Sequence, residues 1–240
     1  MARSILPASP ILGMPRASLR GPASTGSIAG MPAPDAPMSD LLRALAQRGE
    51  PRRYAKGKSL ITEGEQGDAI FIILAGRLRV FASNSEGREI TLGVYGPGEY
   101  IGEMSLDGGP RSASVVSLDA CQCVLVTRRT LEAFIAEHPS FAFELLSKVI
   151  RRARAATLSA KDMALNDVYG RLKGQLEKAA TPRPDGTREI AERLTHKELA
   201  NLAGCSREMV SRVLKDLERG GYARAQGKAL LLLRPLPTRW

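Results

Sequence analysis

Apolar and polar positions follow three different rhythms along the chain. Across residues 53–128 the apolar runs are short, at 69–74, 78–81, 90–92 and 121–126. Glycine-bearing breaks separate them, among them Glu63-Gly64-Glu65-Gln66-Gly67-Asp68, Ala75-Gly76, Glu86-Gly87 and Gly96-Pro97-Gly98. Strand-length runs with regular turn signals predict an antiparallel sandwich or barrel. The period then changes. Residues 139–164 read as one long helix with apolar or small residues at Leu146, Val149, Ala153, Ala156, Ala160 and Met163. The steps of 3, 4, 3, 4 and 3 are those of a coiled-coil seam rather than a broad core-facing stripe. This predicts a parallel homodimer whose alanines let two helices approach closely; a helix packed within its own domain is the alternative.

The third rhythm follows a polar, proline-containing stretch at 181–186. Thr195 with Glu198 three residues on is a capping box that starts a helix. Gly204 suits the left-handed turn that ends it, and Ser206 is an N-cap for a second helix running to Gly220-Gly221. Two short helices so joined predict a helix-turn-helix whose second helix enters the major groove of DNA. Arg207, Glu208 and Arg212 stand at the start of that helix as base readers, with Thr195, Lys197, Ser206 and Ser211 as further DNA contacts. Arginine can donate twice to guanine, and a carboxylate can accept from the cytosine amino group. Residues 222–234 read as a hairpin turning at Gln226-Gly227-Lys228, the wing of a winged helix. A three-helix domain that docks protein is the alternative.

Charge favours DNA. Of the net +10, the last seventy residues carry 15 Lys/Arg against 8 Asp/Glu, while residues 39–170 carry 17 against 16. The excess sits where the reading helix is, which suggests a polyanionic partner for that part. Residues 1–37 are crowded with proline, glycine, serine and alanine, and are expected to be disordered. They lack the apolar core of a secretory signal, and Met31 or Met38 is an alternative start. Three cysteines, with Cys121 and Cys123 in a strand-like run and Cys205 far away, suit neither a disulfide scaffold nor a zinc or iron–sulfur site. His138 and His196 are isolated. No apolar run reaches membrane-span length, so a cytoplasmic location is expected. No nucleophile motif, metal cluster or Walker loop points to an enzyme.

The segment Gly102-Glu103-Met104-Ser105-Leu106-Asp107-Gly108-Gly109-Pro110-Arg111-Ser112-Ala113 carries the ligand chemistry. Small residues let backbone N–H groups approach an anion. Arg111 offers a planar fork for phosphate oxygens, and Glu103, an acceptor, suits a hydroxyl. A ribose-phosphate ring presents both groups side by side. The alternative is a surface turn with Arg111 and Glu103 solvated or paired with each other. In order and spacing the segment resembles the phosphate-binding cassette of the cyclic-nucleotide-binding domain, and the glycine spacing of 53–128 resembles that domain's β-roll.

Residues 204–214 resemble the recognition helix of the Crp/Fnr family of bacterial regulators, and with the cassette the resemblance spans about residues 40–234. It implies an α+β architecture: an N-terminal extension (1–38), a cyclic-nucleotide-binding β-roll (39–138), a dimerisation helix (139–168) and a winged helix-turn-helix (169–236). It also implies a homodimer on a two-fold symmetric, TGTGA-like operator that recruits or blocks RNA polymerase. Arg152 matches an arginine near the cyclic phosphate. Ala156 and Thr157 stand where cAMP-binding members carry two adjacent hydroxyl residues facing the base, so one hydroxyl is lost and one kept. Gly93 stands where those members place a serine near the base. Cyclic AMP is the expected allosteric ligand and cyclic GMP its rival. Cyclic di-GMP, or action without ligand, is an alternative, as is a regulated enzyme or channel subunit. No metal, haem or iron–sulfur ligand set is present for the family's other branches.

Overall fold

The computed structural model describes residues 38–192 and 194–239. The extension expected to be disordered, 1–37, lies outside the described residues, as does Met31. The chain begins with a short helix, α1 (Asp40–Ala46), whose start is fixed by Ser39: its hydroxyl accepts from the Leu42 N–H. Eight strands follow: β1 (Glu50–Tyr54), β2 (Ser59–Ile61), β3 (Ala69–Ala75), β4 (Leu78–Ser83), β5 (Glu89–Tyr95), β6 (Tyr100–Ile101), β7 (Ser114–Ser117) and β8 (Cys121–Thr127). They form two antiparallel four-stranded sheets, ordered β1-β8-β3-β6 and β2-β7-β4-β5. This is the sandwich that the spacing of the apolar runs predicts.

Strand β3 shows why its run is continuous rather than alternating. Side chains point to opposite faces every second residue. Phe71 and Ile73 pack inward with Ile61, Leu78, Ile101 and Val115. Ile70 and Ile72 pack on the other face with Leu42, Leu45, Phe134 and Phe141. That second face is covered by α1, by α2 (Arg128–Glu137) and by the first turn of α3 (Ser140–Leu165). Phe141 is fully buried and meets the Phe134 ring edge-on, with centroids 5.2 Å apart. It anchors the long helix to the roll.

α3 keeps contact with the roll as far as Arg152, but much of its surface is bare. Phe143 is 72% exposed and Leu158 64%. Of the six expected seam positions, five are exposed and one is half-buried. Leu146, Ala153, Ala156 and Ala160 are exposed as a seam requires, but Val149 is half-buried within its own chain. Met163 is 43% exposed, and its Cε lies 3.0 Å from where a Cβ on Gly204 would sit. The exposed positions that step by threes and fours are Phe143, Leu146, Ile150, Ala153, Thr157 and Ala160.

The helix ends at Leu165, and Asp167 caps α4 (Val168–Ala179) by accepting from the Gly170 N–H at 2.7 Å. The polar 181–186 stretch belongs to a hairpin of β9 (Thr181–Pro182) and β10 (Arg188–Ile190), with Gly186 at φ 82° in its turn. Then come α5 (His196–Ala203), α6 (Arg207–Arg219), β11 (Ala223–Gln226) and β12 (Ala229–Leu232). The third sheet, β11-β12-β10-β9, closes over a core that includes Leu172, Leu176, Leu199, Val210, Leu214 and Leu230. Helix-turn-helix and wing stand where the capping signals put them.

Truncation of Phe141 to alanine removes a buried ring where α3 meets α2 and the sheet. Phe141→Ala is expected to cost about 3–5 kcal/mol of stability. Urea unfolding checks this, and a loss below about 1 kcal/mol would mean that the helix is anchored elsewhere.

Candidate functional site

Between β6 and β7 the chain makes a tight loop that needs two left-handed residues. Gly102 (φ 90°) opens a 3-10 turn over Glu103–Asp107, and Gly108 (φ 93°) closes it. Arg111 then folds back beneath the loop. Its Nη1 donates to the Gly102 carbonyl and to the Ser105 hydroxyl, each at 2.8 Å. Two glycines make room for the guanidinium: a Cβ on Gly67 would lie 2.4 Å from Nε, and one on Gly102 would lie 2.7 Å from Nη1. Gly67, which reads in the sequence only as part of a turn, is therefore fixed by its closeness to Arg111. Burial lowers the Arg111 pKa from its ordinary value while Asp68, Glu103 and Glu65 act to raise it. Its Nε and Nη2 form no hydrogen bond among the described residues, leaving a partly desolvated fork for an anion.

Glu103 is occupied. Arg152, from the middle of α3, reaches it with Nη1 at 2.6 Å, and Arg152 Nη2 lies 3.3 Å from Glu99 and also donates to the Tyr100 carbonyl. Its guanidinium stacks over the rings of Tyr95 (4.5 Å) and Tyr100 (5.1 Å). Burial works against the charge, but Glu103 outweighs it and the Arg152 pKa is raised. Nearby, Lys148 donates to the Gly98 carbonyl at 2.8 Å, and burial pulls its pKa down.

Arg111, Glu103 and Arg152 share one small cavity that is open to solvent. Gly102, Glu103, Met104, Ser105, Arg111, Ser112, Ala113 and Arg152 all line it, so the structure gathers that part of the expected set into one cavity. Ile61, Val80, Tyr95, Ile101 and Val115 complete the wall; their signal in the sequence is only that of alternating strand residues. Thr157 is not brought there. Its side chain is exposed on α3, and its hydroxyl donates to the Ala153 carbonyl at 3.0 Å. The charged lining is two guanidiniums and one carboxylate, a balance suited to a single negative charge.

At the other end of the chain, the Thr195 hydroxyl accepts from the Glu198 N–H and the Glu198 carboxylate accepts from the Thr195 N–H, closing the capping box. Gly204 (φ 61°) makes the turn, and the Ser206 hydroxyl accepts from the Met209 N–H. Both hydroxyls are thus engaged as caps. Ser211 donates to the Arg207 carbonyl and lies 2.7 Å from His196 Nδ1, tying α6 to α5. Lys197, Arg207, Glu208 and Arg212 are exposed, and Val210, Val213, Leu214 and Leu217 bury the opposite face of α6. The Glu208 backbone N–H, followed by the Ser206 hydroxyl, holds the Glu208 carboxyl below its ordinary range, so it stays ionised.

The two ends touch. Asn201 on α5 donates to Glu89 at the start of β5 (3.3 Å), and Glu89 is also held by Arg79 of β4 at 2.7 Å. Beside this contact, the Gly204 turn packs on Met163 and Ile90. Arg171 closes the joint, donating to the carbonyls of Asn166, Ala203 and Gly204. Among the described residues no group of three or more His, Cys, Asp or Glu is placed to hold a metal ion, and no helix is long and apolar enough to cross a membrane.

Comparison with known proteins agrees with this geometry. Residues 51–138 match the cyclic nucleotide-binding domain, and residues 193–222 match the bacterial regulatory proteins of the crp family. A CRP-like cAMP-activated global transcriptional regulator of Mycobacterium tuberculosis is 32% identical, over 80% of this chain and 87% of its own length. The cyclic AMP receptor protein of Thermus thermophilus is 36% identical, over 77% of this chain and 83% of its own. Among solved structures, the c-di-GMP responsive global regulator CLP of Xanthomonas campestris superposes with a TM-score of 0.71 at 25% identity, covering 80% of this chain and 97% of that one.

Removing the fork under the loop tests the cavity directly. Arg111→Ala is expected to lose about 1.5–3 kcal/mol of nucleotide affinity, at least tenfold, because a charge-assisted contact in a desolvated pocket disappears. Calorimetry with cyclic AMP and cyclic GMP measures it. Unchanged binding would put the ligand site elsewhere.

Proposed function

Because the chain belongs to the Crp family of bacterial regulatory proteins, we propose that it is a homodimeric, sequence-specific transcription regulator gated by one cyclic mononucleotide per protomer, with cyclic AMP foremost. The observation that carries this reading is the pocket's single uncommitted cation. Arg152 is already neutralised by Glu103, whereas among the described residues Arg111 forms no ion pair and keeps donors unspent. One phosphate fits there. The names of the Mycobacterium and Thermus relatives, both of which specify cyclic AMP, support the same choice. Cyclic GMP is the nearest rival. Cyclic di-GMP is the second reading, favoured by the likeness to CLP, but it brings two phosphates to a pocket with one unpaired guanidinium.

The ribose hydroxyl that Glu103 would accept competes with Arg152 for the same carboxylate, so ligand entry bears on α3. It also bears on β5, whose Tyr95 lines the pocket and whose Glu89 holds α5. A ligand biases the reading head only as far as it binds one arrangement better than another, typically about 1–3 kcal/mol. The exposed stripe of Phe143, Leu146, Ile150, Ala153, Thr157 and Ala160 is the seam of the dimer, which places two α6 helices for a two-fold symmetric operator. RNA polymerase is the partner such a regulator recruits or blocks, and the cytoplasm is where it would act.

Operator titrations with and without saturating nucleotide test the reading. Arg207→Ala and Arg212→Ala are each expected to cost about 1–3 kcal/mol on a TGTGA-like palindrome and to relax preference at one base pair per half-site. Lys197→Ala, a phosphate contact, weakens all sequences alike. Equal loss on random and palindromic DNA for both arginine variants would contradict their role as readers.

A further inference from the structure

The hydrogen-bonding groups of the cavity can be assigned in turn. Arg111, Ser105 and the Gly102 backbone belong to the anion end, and Glu103 is the acceptor for a sugar hydroxyl. Arg152 is spent on Glu103, Glu99 and the Tyr100 carbonyl. Thr157, expected to meet the base, is bonded to Ala153 outside the cavity of its own chain. Apart from the cassette, one polar side chain of the lining remains, Tyr95, and its hydroxyl forms no hydrogen bond among the described residues.

The strand makes room for this ring. A Cβ on Gly93 would lie 2.8 Å from both Tyr95 Cε2 and its hydroxyl oxygen. Glycine at 93 thus lets the phenol lie back along β5, with its face against the Arg152 guanidinium at 4.5 Å. A flat ring held there offers a stacking surface and a hydroxyl that can both donate and accept. Burial raises the phenol pKa, so it keeps its proton at neutral pH.

We propose that Tyr95 is the residue that discriminates the base of the bound nucleotide, its hydroxyl bonding the edge of a purine. This inference rests on the cyclic-nucleotide reading of the pocket. Its test is calorimetry with cyclic AMP and cyclic GMP on the full chain and on the Tyr95→Phe, Tyr95→Leu and Arg111→Ala variants. Tyr95→Phe keeps the ring and removes only the hydroxyl; both nucleotides should still bind, with the ratio of their Kd values moving toward unity by about three- to tenfold, the worth of one neutral hydrogen bond. Tyr95→Leu should remove the stacking surface as well and weaken both further. If the parent binds and Arg111→Ala does not, an unchanged ratio in Tyr95→Phe overturns the role of Tyr95 and leaves the nucleotide reading intact. An equal loss for both nucleotides makes Tyr95 a mere wall and overturns it too. A parent that binds neither nucleotide overturns both readings.

Discussion

One buried cation holds the two halves of this architecture in register. Arg152 leaves the middle of α3 and ends among Glu103, Glu99, the Tyr100 carbonyl and two aromatic faces. A buried guanidinium is tolerated only when its charge and its donors are satisfied together. Here the groups that satisfy it come from β5, β6 and the loop that shapes the pocket. The long helix therefore cannot shift against the roll without unpairing a desolvated charge. In the proposed regulator, that cost would tie the helix position to what occupies the pocket.

The same strands that wall the pocket also carry the reading head. β5 spans about 20 Å from Tyr95 to Glu89 at the usual rise of a strand. β5 is paired with β4 from Leu78↔Tyr95 to Ser83↔Glu89, with one register shift between Val80 and Phe81. Arg79 crosses that pair to hold Glu89, and its own face is stacked over Phe81 at 4.2 Å. Its Nη1 is buried without a hydrogen-bond partner, which marks the junction as a place where packing is not at its optimum. Ligand and DNA domain thus meet the roll through one hairpin and one helix, with no third route needed.

Much of this was legible because it is written in local chemistry. The cassette shows through its glycines and Arg111, and the helix-turn-helix shows through Thr195, Glu198, Gly204 and Ser206, each of which acts within a few residues of itself. Features that depend on distant partners were harder to read. α1, α2 and α4 are short and lie beside longer signals, so only their caps Ser39, Thr127 and Asp167 announce them. β9 contains a proline at a sheet edge, where sequence reads only a polar turn. On α3, two neighbouring stripes satisfy the same spacing, and only the roll decides that Val149 turns inward while Ile150 stays in solvent. Gly93 looks like a loss of chemistry until Tyr95 is seen lying in the space it leaves.

The joint between α3 and α4 is two residues long, Asn166 and Asp167, with extended backbone at both. Two residues allow a swivel but provide no slack. In the proposed dimer the reading helices are therefore carried at a separation that the protein sets and the DNA must match. One base pair inserted between half-sites turns the second by about a tenth of a helical turn and pushes it outward, beyond what so short a joint can follow. For such a dimer the joint at Asn166 and Asp167 would act as a molecular ruler for the spacing of half-sites.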